Sequence, residues 1–260
     1  MSVDQPTPDV KRQTATRDAF LGDRLWIEQP ASGFRAGVDS VLLGASVNGA
    51  SGELLDMGCG TGVAGLVALS GSPALVGTFA DKSEAAIAMC TRNLSANAGG
   101  RGRAVCCDVT DGAAVREAAG ILPNRFDVVI ANPPYFHWLT ATPPHDPDVA
   151  SAHFHNNQAL DLWVRAAVTT ARAGADIVFI HRAEALSRML ASFAKRLGAI
   201  RILPVCPAPG LPASRILMRG TKGSRAPLSL LPALALHEHE GGPFTEPVNA
   251  ILRGKSRLDW

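Results

Sequence analysis

The order of apolar and glycine-rich segments predicts an α/β fold, with a mostly parallel sheet covered on both faces by helices. From Glu53 onward, apolar runs of strand length alternate with amphipathic helical runs, the pattern of consecutive strand–helix–strand units. A glycine-rich turn joins the first of these strands to its helix, as at strand ends that receive a ligand. Successive strands then end in an acid or an amide, which lines polar groups along one sheet edge.

Residues 1–16, MSVDQPTPDVKRQTAT, are polar, lack the apolar centre of a signal peptide and are expected to form a disordered tail. Residues 17–260 are expected to form one domain, with a strand-and-helix cap over 17–50 and the sheet core over 51–260. RLWIE and SGFRA read as short strands, and Asp39 reads as the N-cap of a helix in SVLLGASV. ELLDM, ALVGTF, AVCCD, FDVVIA, DIVFI and IRILPV read as core strands. VAGLVALS, SEAAIAMCTRNLSAN, ALDLWVRAAVTTAR and EALSRMLASFAKRL read as helices between them. SRILMRG and PALALHEHE add strand-like runs, and EPVNAILRG suggests a last short helix.

The bulk properties narrow the function classes. The 260 residues suffice for one large α/β domain, and no apolar run approaches the ~20 residues that cross a bilayer. Cys59, Cys90, Cys106, Cys107 and Cys206 form an odd set without C-x-x-C spacing. Free thiols in a reducing cytoplasm fit this better than a disulfide framework or a zinc site. His153 with His155 and His237 with His239 are close pairs, but neither has a third ligand nearby, so no metal is expected. The net charge of +2 hides an asymmetry. Residues 1–160 carry 11 Lys/Arg against 16 Asp/Glu, and residues 161–260 carry 14 against 7. Nine bases and a single acid, Glu184, lie between Arg182 and Arg225. A solvated surface explains such a segment, and so does a polyanion partner.

The chemistry concentrates at the strand ends. LLDMGCGTG, residues 54–62, ends a strand in Asp56 and turns through Gly58, Gly60 and Gly62. Glycines there let the backbone take positive φ close to a ligand. Their spacing is not G-x-G-x-x-G, and the turn lacks the lysine of a phosphate loop. The next strand ends at Asp81, roughly 20 residues on, where an acid can bond ribose hydroxyls. The third ends at Asp108, which can accept a hydrogen bond from an adenine amino group. The fourth runs into Asn132-Pro133-Pro134-Tyr135. Two prolines keep the backbone extended and remove two N–H donors. The Asn132 amide oxygen and the Pro133 carbonyl can then accept the protons of an aromatic amine, whose delocalised lone pair makes it a poor nucleophile. Tyr135, the chain's one tyrosine, can stack on the ring bearing that amine.

Together these elements resemble the class I S-adenosylmethionine-dependent methyltransferases with an NPPY motif. Within that class the chain looks most like the family that N6-methylates adenine beside the anticodon of valine tRNA. The resemblance runs from Phe20 to Gly254 and rests on GFRAGVDSVLLGAS, DMGCGTG and IANPPYF. It implies a Rossmann-like, seven-stranded sheet, S-adenosyl-L-methionine as cofactor and an RNA substrate, tRNA foremost. The expected partner is RNA held by the basic segment from Arg182 to Arg225, with no membrane and with the chain as a monomer or an oligomer. Its cofactor-binding set would be Gly37, Asp39, Asp56, Gly58, Cys59, Gly60, Gly62, Asp81, Lys82, Asp108, Val109 and Asn132. Gly37-Val38-Asp39 matches the segment that closes over the cofactor's methionine end. Asn132, Pro133, Pro134 and Tyr135 would act on the amine. The Pro- and His-rich loop from His137 to Gln158 departs from the family, reading Ala152-His153-Phe154-His155 where Ala-Arg-His/Tyr is usual.

Other uses of the motif fit less well. Glutamine methylation of release factors goes with a long helical domain before the glycine turn, where only 55 residues stand here. DNA adenine methylation usually goes with an added target-recognition domain. Guanine-N2 methylation of ribosomal RNA needs the same acceptors and stays open. A dehydrogenase leaves the NPPY motif unexplained, and a non-catalytic scaffold leaves Asp81 and Asn132 without a reason.

Overall fold

The chain is described by a computed structural model over residues 15–32, 35–47, 49–134 and 147–260, with the backbone alone over 147–158. An antiparallel hairpin, β1 (Ala15–Phe20) and β2 (Leu25–Pro30), comes first, followed by helix α1 (Val38–Ala45). The core then runs β3 (Gly52–Met57), α2 (Val63–Gly71), β4 (Leu75–Asp81), α3 (Glu84–Asn97), β5 (Gly102–Cys106), α4 (Ala113–Ala118) and β6 (Phe126–Ala131). It continues through α5 (Pro147–Thr170), β7 (Ala171–Arg182), a single 3-10 turn (Ala183–Ala185), α6 (Leu186–Ala194), β8 (Leu197–Cys206) and β9 (Arg215–Lys222). Two-residue strands β10 (Ser229–Leu230) and β11 (Leu234–Ala235) precede α7 (Glu246–Leu252).

The long strands lie in the order β8-β9-β7-β6-β3-β4-β5. Neighbours from β7 to β5 are parallel, whereas β9 lies antiparallel between β7 and β8. This is the seven-stranded α/β sheet implied by the sequence, with β10 and β11 added against β8. Strand alternation sorts side chains between two cores. Leu54, Val128, Ile130, Val178 and Ile180 face α1, α2 and α3. Leu55, Val129, Ile177 and Phe179 face α5 and α6, where Phe193 meets Phe179 edge-on at 5.5 Å. Sheet burial on both sides explains why these strands read as unbroken apolar runs.

Several expectations are corrected. The partner of β2 is β1, and Ser32, Arg35 and Ala36 of SGFRA lie outside any strand. Gly37, not Asp39, is the N-cap of α1; the Asp39 carboxylate instead accepts a 2.9 Å hydrogen bond from Arg215 Nε. The expected loop to Gln158 is helical from Pro147, proline being tolerated where a helix begins because its missing N–H needs no partner there. Helix α4 has one buried residue, so it shows no apolar stripe in the sequence. Residues 1–14, Tyr135, the first part of the His137–Gln158 stretch and the side chains of His153 and His155 lie outside the described residues.

Candidate active site

The glycine turn leaves β3 and enters α2 with Gly58, Gly60 and Gly62 at φ of 65°, 54° and 89°. A side chain at Gly58 would start 2.5 Å from the Trp163 ring, and one at Gly62 would start 2.8 Å from Cys90 Sγ. Glycine therefore meets a conformational and a steric need here. Buried Asn93 of α3 locks the turn to the hairpin. Its amide nitrogen donates to the Thr61 and Glu28 carbonyls at 2.9 and 3.0 Å, and its oxygen accepts the Glu28 N–H at 2.8 Å.

Register brings the three acids to one edge. Asp56 Oδ2 accepts the Gly65 N–H of α2 at 2.9 Å. The side chain is 2% exposed, and desolvation, helped by the charge of Asp81, pushes its pKa up to about 7 against the Gly65 hydrogen bond. Asp81 accepts Gly60 N–H on one oxygen and Ser83 N–H on the other, each at 2.9 Å; a carboxylate retains further lone pairs for a ligand. Asp108 accepts the Thr110 N–H and hydroxyl at 2.9 and 2.7 Å, with Lys82 Nζ 3.8 Å away. Burial works to raise its pKa, but these partners outweigh it and hold the carboxyl below its usual range.

Two cavities meet along this edge. One, of about 340 Å³, is lined by Asp56, Cys59, Ser40, Met89 and the start of α3. The other, of about 670 Å³, lies among Lys82, Asp108, Val109, Pro133, Pro134, Leu162, Trp163 and Arg182. Gly58, Gly60, Asp81 and Asn132 border both, so Asn132 stands where the two spaces join. Gly37, Asp39 and Gly62 line neither cavity; they serve as helix cap, ion-pair partner and helix cap. Cys59 Sγ lies 4.0 Å from Cys90 Sγ, and burial raises the Cys59 thiol well above its ordinary value.

Several bases of the basic segment are paired within the chain, although none of them is buried. Arg215 pairs with Asp39, and Arg219 pairs with Asp176 at 2.6 Å. Lys222 Nζ donates at 2.7 Å to the Val168 carbonyl in the last turn of α5 and to the Ala171 carbonyl at the start of β7, and at 2.8 Å to Asn124; desolvation lowers its pKa. Arg182 reaches the rim of the larger cavity, 3.0 Å from Glu184. The His237 Nδ1 lies 2.8 Å from the Gly242 carbonyl, and its ring stacks on Phe244. Leu162 and Trp163 went unrecognised as cavity walls because in ALDLWVRAAV they read as an ordinary core stripe.

The donors present suit S-adenosyl-L-methionine. Asp81 keeps lone pairs free for hydroxyls, Asp56 lines the smaller cavity as an acid that suits a cationic group, and Asp108 lines the larger cavity together with apolar Val109 and Leu162. A family model for the methyltransferase small domain matches this part of the chain. The match spans residues 37–151, less than half of the chain. Around that domain the chain carries the class I methyltransferase fold. A tRNA1(Val) (adenine(37)-N6)-methyltransferase from Flavobacteriaceae bacterium (strain 3519-10) is 32% identical over 119 residues, 45% of this chain and 48% of its own. A protein of the same name from Pedobacter heparinus is 31% identical over 144 residues, 53% and 58% of the two chains. The chain thus spans about half the length of the curated relatives it matches. The crystal structure of protein Atu636 from Agrobacterium tumefaciens, described as a predicted O-methyltransferase, superposes with a TM-score of 0.71 at 26% identity. That match covers 85% of this chain and 98% of the other. M. jannaschii TYW2, solved in complex with AdoMet, shares the fold, with a TM-score of 0.54 at 13% identity over 81% and 88% of the two chains.

Proposed function

We propose that this protein is a cytoplasmic methyltransferase that uses S-adenosyl-L-methionine to methylate a planar amine, the N6 of an adenine in tRNA. The observation that carries this is the position of Asn132, at the join of the two cavities and directly before Pro133 and Pro134. The cofactor supplies a methyl group made electrophilic by a positively charged sulfur. Asn132 Oδ1 and the Pro133 carbonyl accept the two amine protons, which draws the nitrogen toward a tetrahedral geometry with its lone pair free. Tyr135, Leu162 and Trp163 offer apolar surface to hold the base in plane. An adenine in a tRNA loop is already unpaired, which keeps the cost of presenting it low. Arg182, at the cavity rim, meets a flanking phosphate. The names of the two tRNA-modifying relatives support adenine over other amines.

Nucleoside mass spectrometry tests this. Total tRNA from a deletion strain, incubated with the protein and isotope-labelled cofactor, should gain labelled N6-methyladenosine. Labelled N2-methylguanosine, or label in protein glutamine and none in RNA, would overturn the adenine assignment.

A further inference from the structure

A third cavity lies away from the strand-end edge. It measures about 150 Å³ and is lined by Arg24, Lys255 and Arg257, with Ser70 and Ser256 and no acid. It shares no lining residue with the two cavities at the strand ends. Ser70 and Gly71 form the end of α2 opposite the glycine turn, and the helix between them spans roughly 13 Å. Two of the cations also serve the fold. Arg24 Nη1 donates to the Gly254 carbonyl at 2.8 Å, and Arg257 Nη1 donates to the Val47 carbonyl at 3.0 Å. A side chain at Gly71 would strike the Arg257 guanidinium, so glycine there lets that group lie across the helix end. Helices α1, α2 and α7 each bring a last-turn residue to the cavity, Ala45, Gly71 and Ile251. A helix end carries about half a negative charge, so these three ends offset only about half of the charge of three cations. None of the three cations pairs with an acid among the described residues. Among those residues, Lys255 Nζ and the Nε and Nη2 of Arg257 have no hydrogen-bond partner either.

We propose that Arg24, Lys255 and Arg257 form a binding site for a phosphate group. The cavity is smaller than the ~300–1,000 Å³ of pockets that enclose a drug-sized ligand, which suits one tetrahedral oxyanion. Arg257 supplies the N–H donors of one planar guanidinium edge, Lys255 a point charge and Ser70 a hydroxyl. The same chemistry admits inorganic phosphate or a backbone phosphate of RNA. The site does not rest on the methyl-transfer reading above.

Lys255→Gln tests this without disturbing the fold, because that ammonium holds no carbonyl. In proton–nitrogen NMR, the wild-type protein titrated with sodium phosphate at fixed ionic strength should show saturable shifts of the Gly71, Gly254 and Ser256 amides. Lys255→Gln should weaken that binding about fivefold or more, since hydrogen bonds to ionised groups are the strong class. Arg225→Gln changes an exposed base outside the cavity and should leave phosphate binding unaltered. No saturable shift in the wild type, or an equal effect of the two substitutions, overturns the proposal. Filter binding of total tRNA then tells the two sources of phosphate apart. Weaker tRNA binding by Lys255→Gln, with a salt dependence shallower by ~0.7 log units per decade, identifies an RNA backbone phosphate; unaltered tRNA binding identifies free phosphate. The NMR titration involves no methyl transfer, so it decides the site even if the protein methylates no RNA.

Discussion

Asp56 is an acid whose burial makes the unliganded protein pH-sensitive, and Asp56→Asn isolates that effect. The substitution keeps the shape and the acceptor for the Gly65 N–H, which lies 2.9 Å from the carboxylate, but removes the charge. The folded pKa of about 7 lies above the ordinary 3.8, so between these values the folded state keeps a proton that the unfolded state has lost. Stability therefore falls as pH rises through this window and levels off above about 7. At 1.36 kcal/mol per unit, wild type should lose about 3 kcal/mol between pH 5 and pH 8 through this group alone. Urea denaturation of both proteins at the two pH values measures it. The stability advantage of Asp56→Asn should be about 3 kcal/mol larger at pH 8 than at pH 5. Wild-type affinity for the cationic cofactor should rise over the same range, because binding favours the ionised carboxylate. An unchanged difference between the two proteins at both pH values would refute the reasoning.

Asp81→Ala removes the ribose acceptor and should weaken cofactor binding about tenfold or more by calorimetry, since hydrogen bonds to charged groups contribute ~1.5–3 kcal/mol; unchanged affinity removes Asp81 from the site. Lys222→Met strips the end of α5 of its cation and should cost about 1–2 kcal/mol in urea denaturation, with tRNA affinity unaltered; intact stability with weakened tRNA binding would reverse the assignment. Arg182→Glu should weaken tRNA binding and make its salt dependence shallower by ~0.7 log units per decade, the share of a single phosphate. A salt slope equal to wild type would place the phosphate elsewhere.

The strand ends were readable because apolar runs such as LLDM and VVIA stop at an acid or an amide, and parallel strands bring those stops to one edge. The meaning of the basic segment was not readable. Sequence shows that Arg215, Arg219 and Lys222 are charged, but their partners Asp39, Asp176 and the Val168 and Ala171 carbonyls come from distant elements. SRILMRG also hides that β9 enters the sheet between β7 and β8. Asn93 was hidden for a related reason. It looks like an isolated polar residue in its helix, and only its folded neighbours, Thr61 and Glu28, give it work.

The central claim is that Asn132 acts on the amine and does not hold the cofactor. Its direct test is Asn132→Ala, followed by single-turnover methyl transfer to tRNA and, in parallel, by cofactor calorimetry. Removing one acceptor for the reacting group should slow transfer about a hundredfold or more, ~2.7–4 kcal/mol by analogy with deleted oxyanion donors, while cofactor affinity stays within about threefold of wild type. Transfer within a few-fold of wild type, or a slowing explained wholly by weaker cofactor binding, would contradict it.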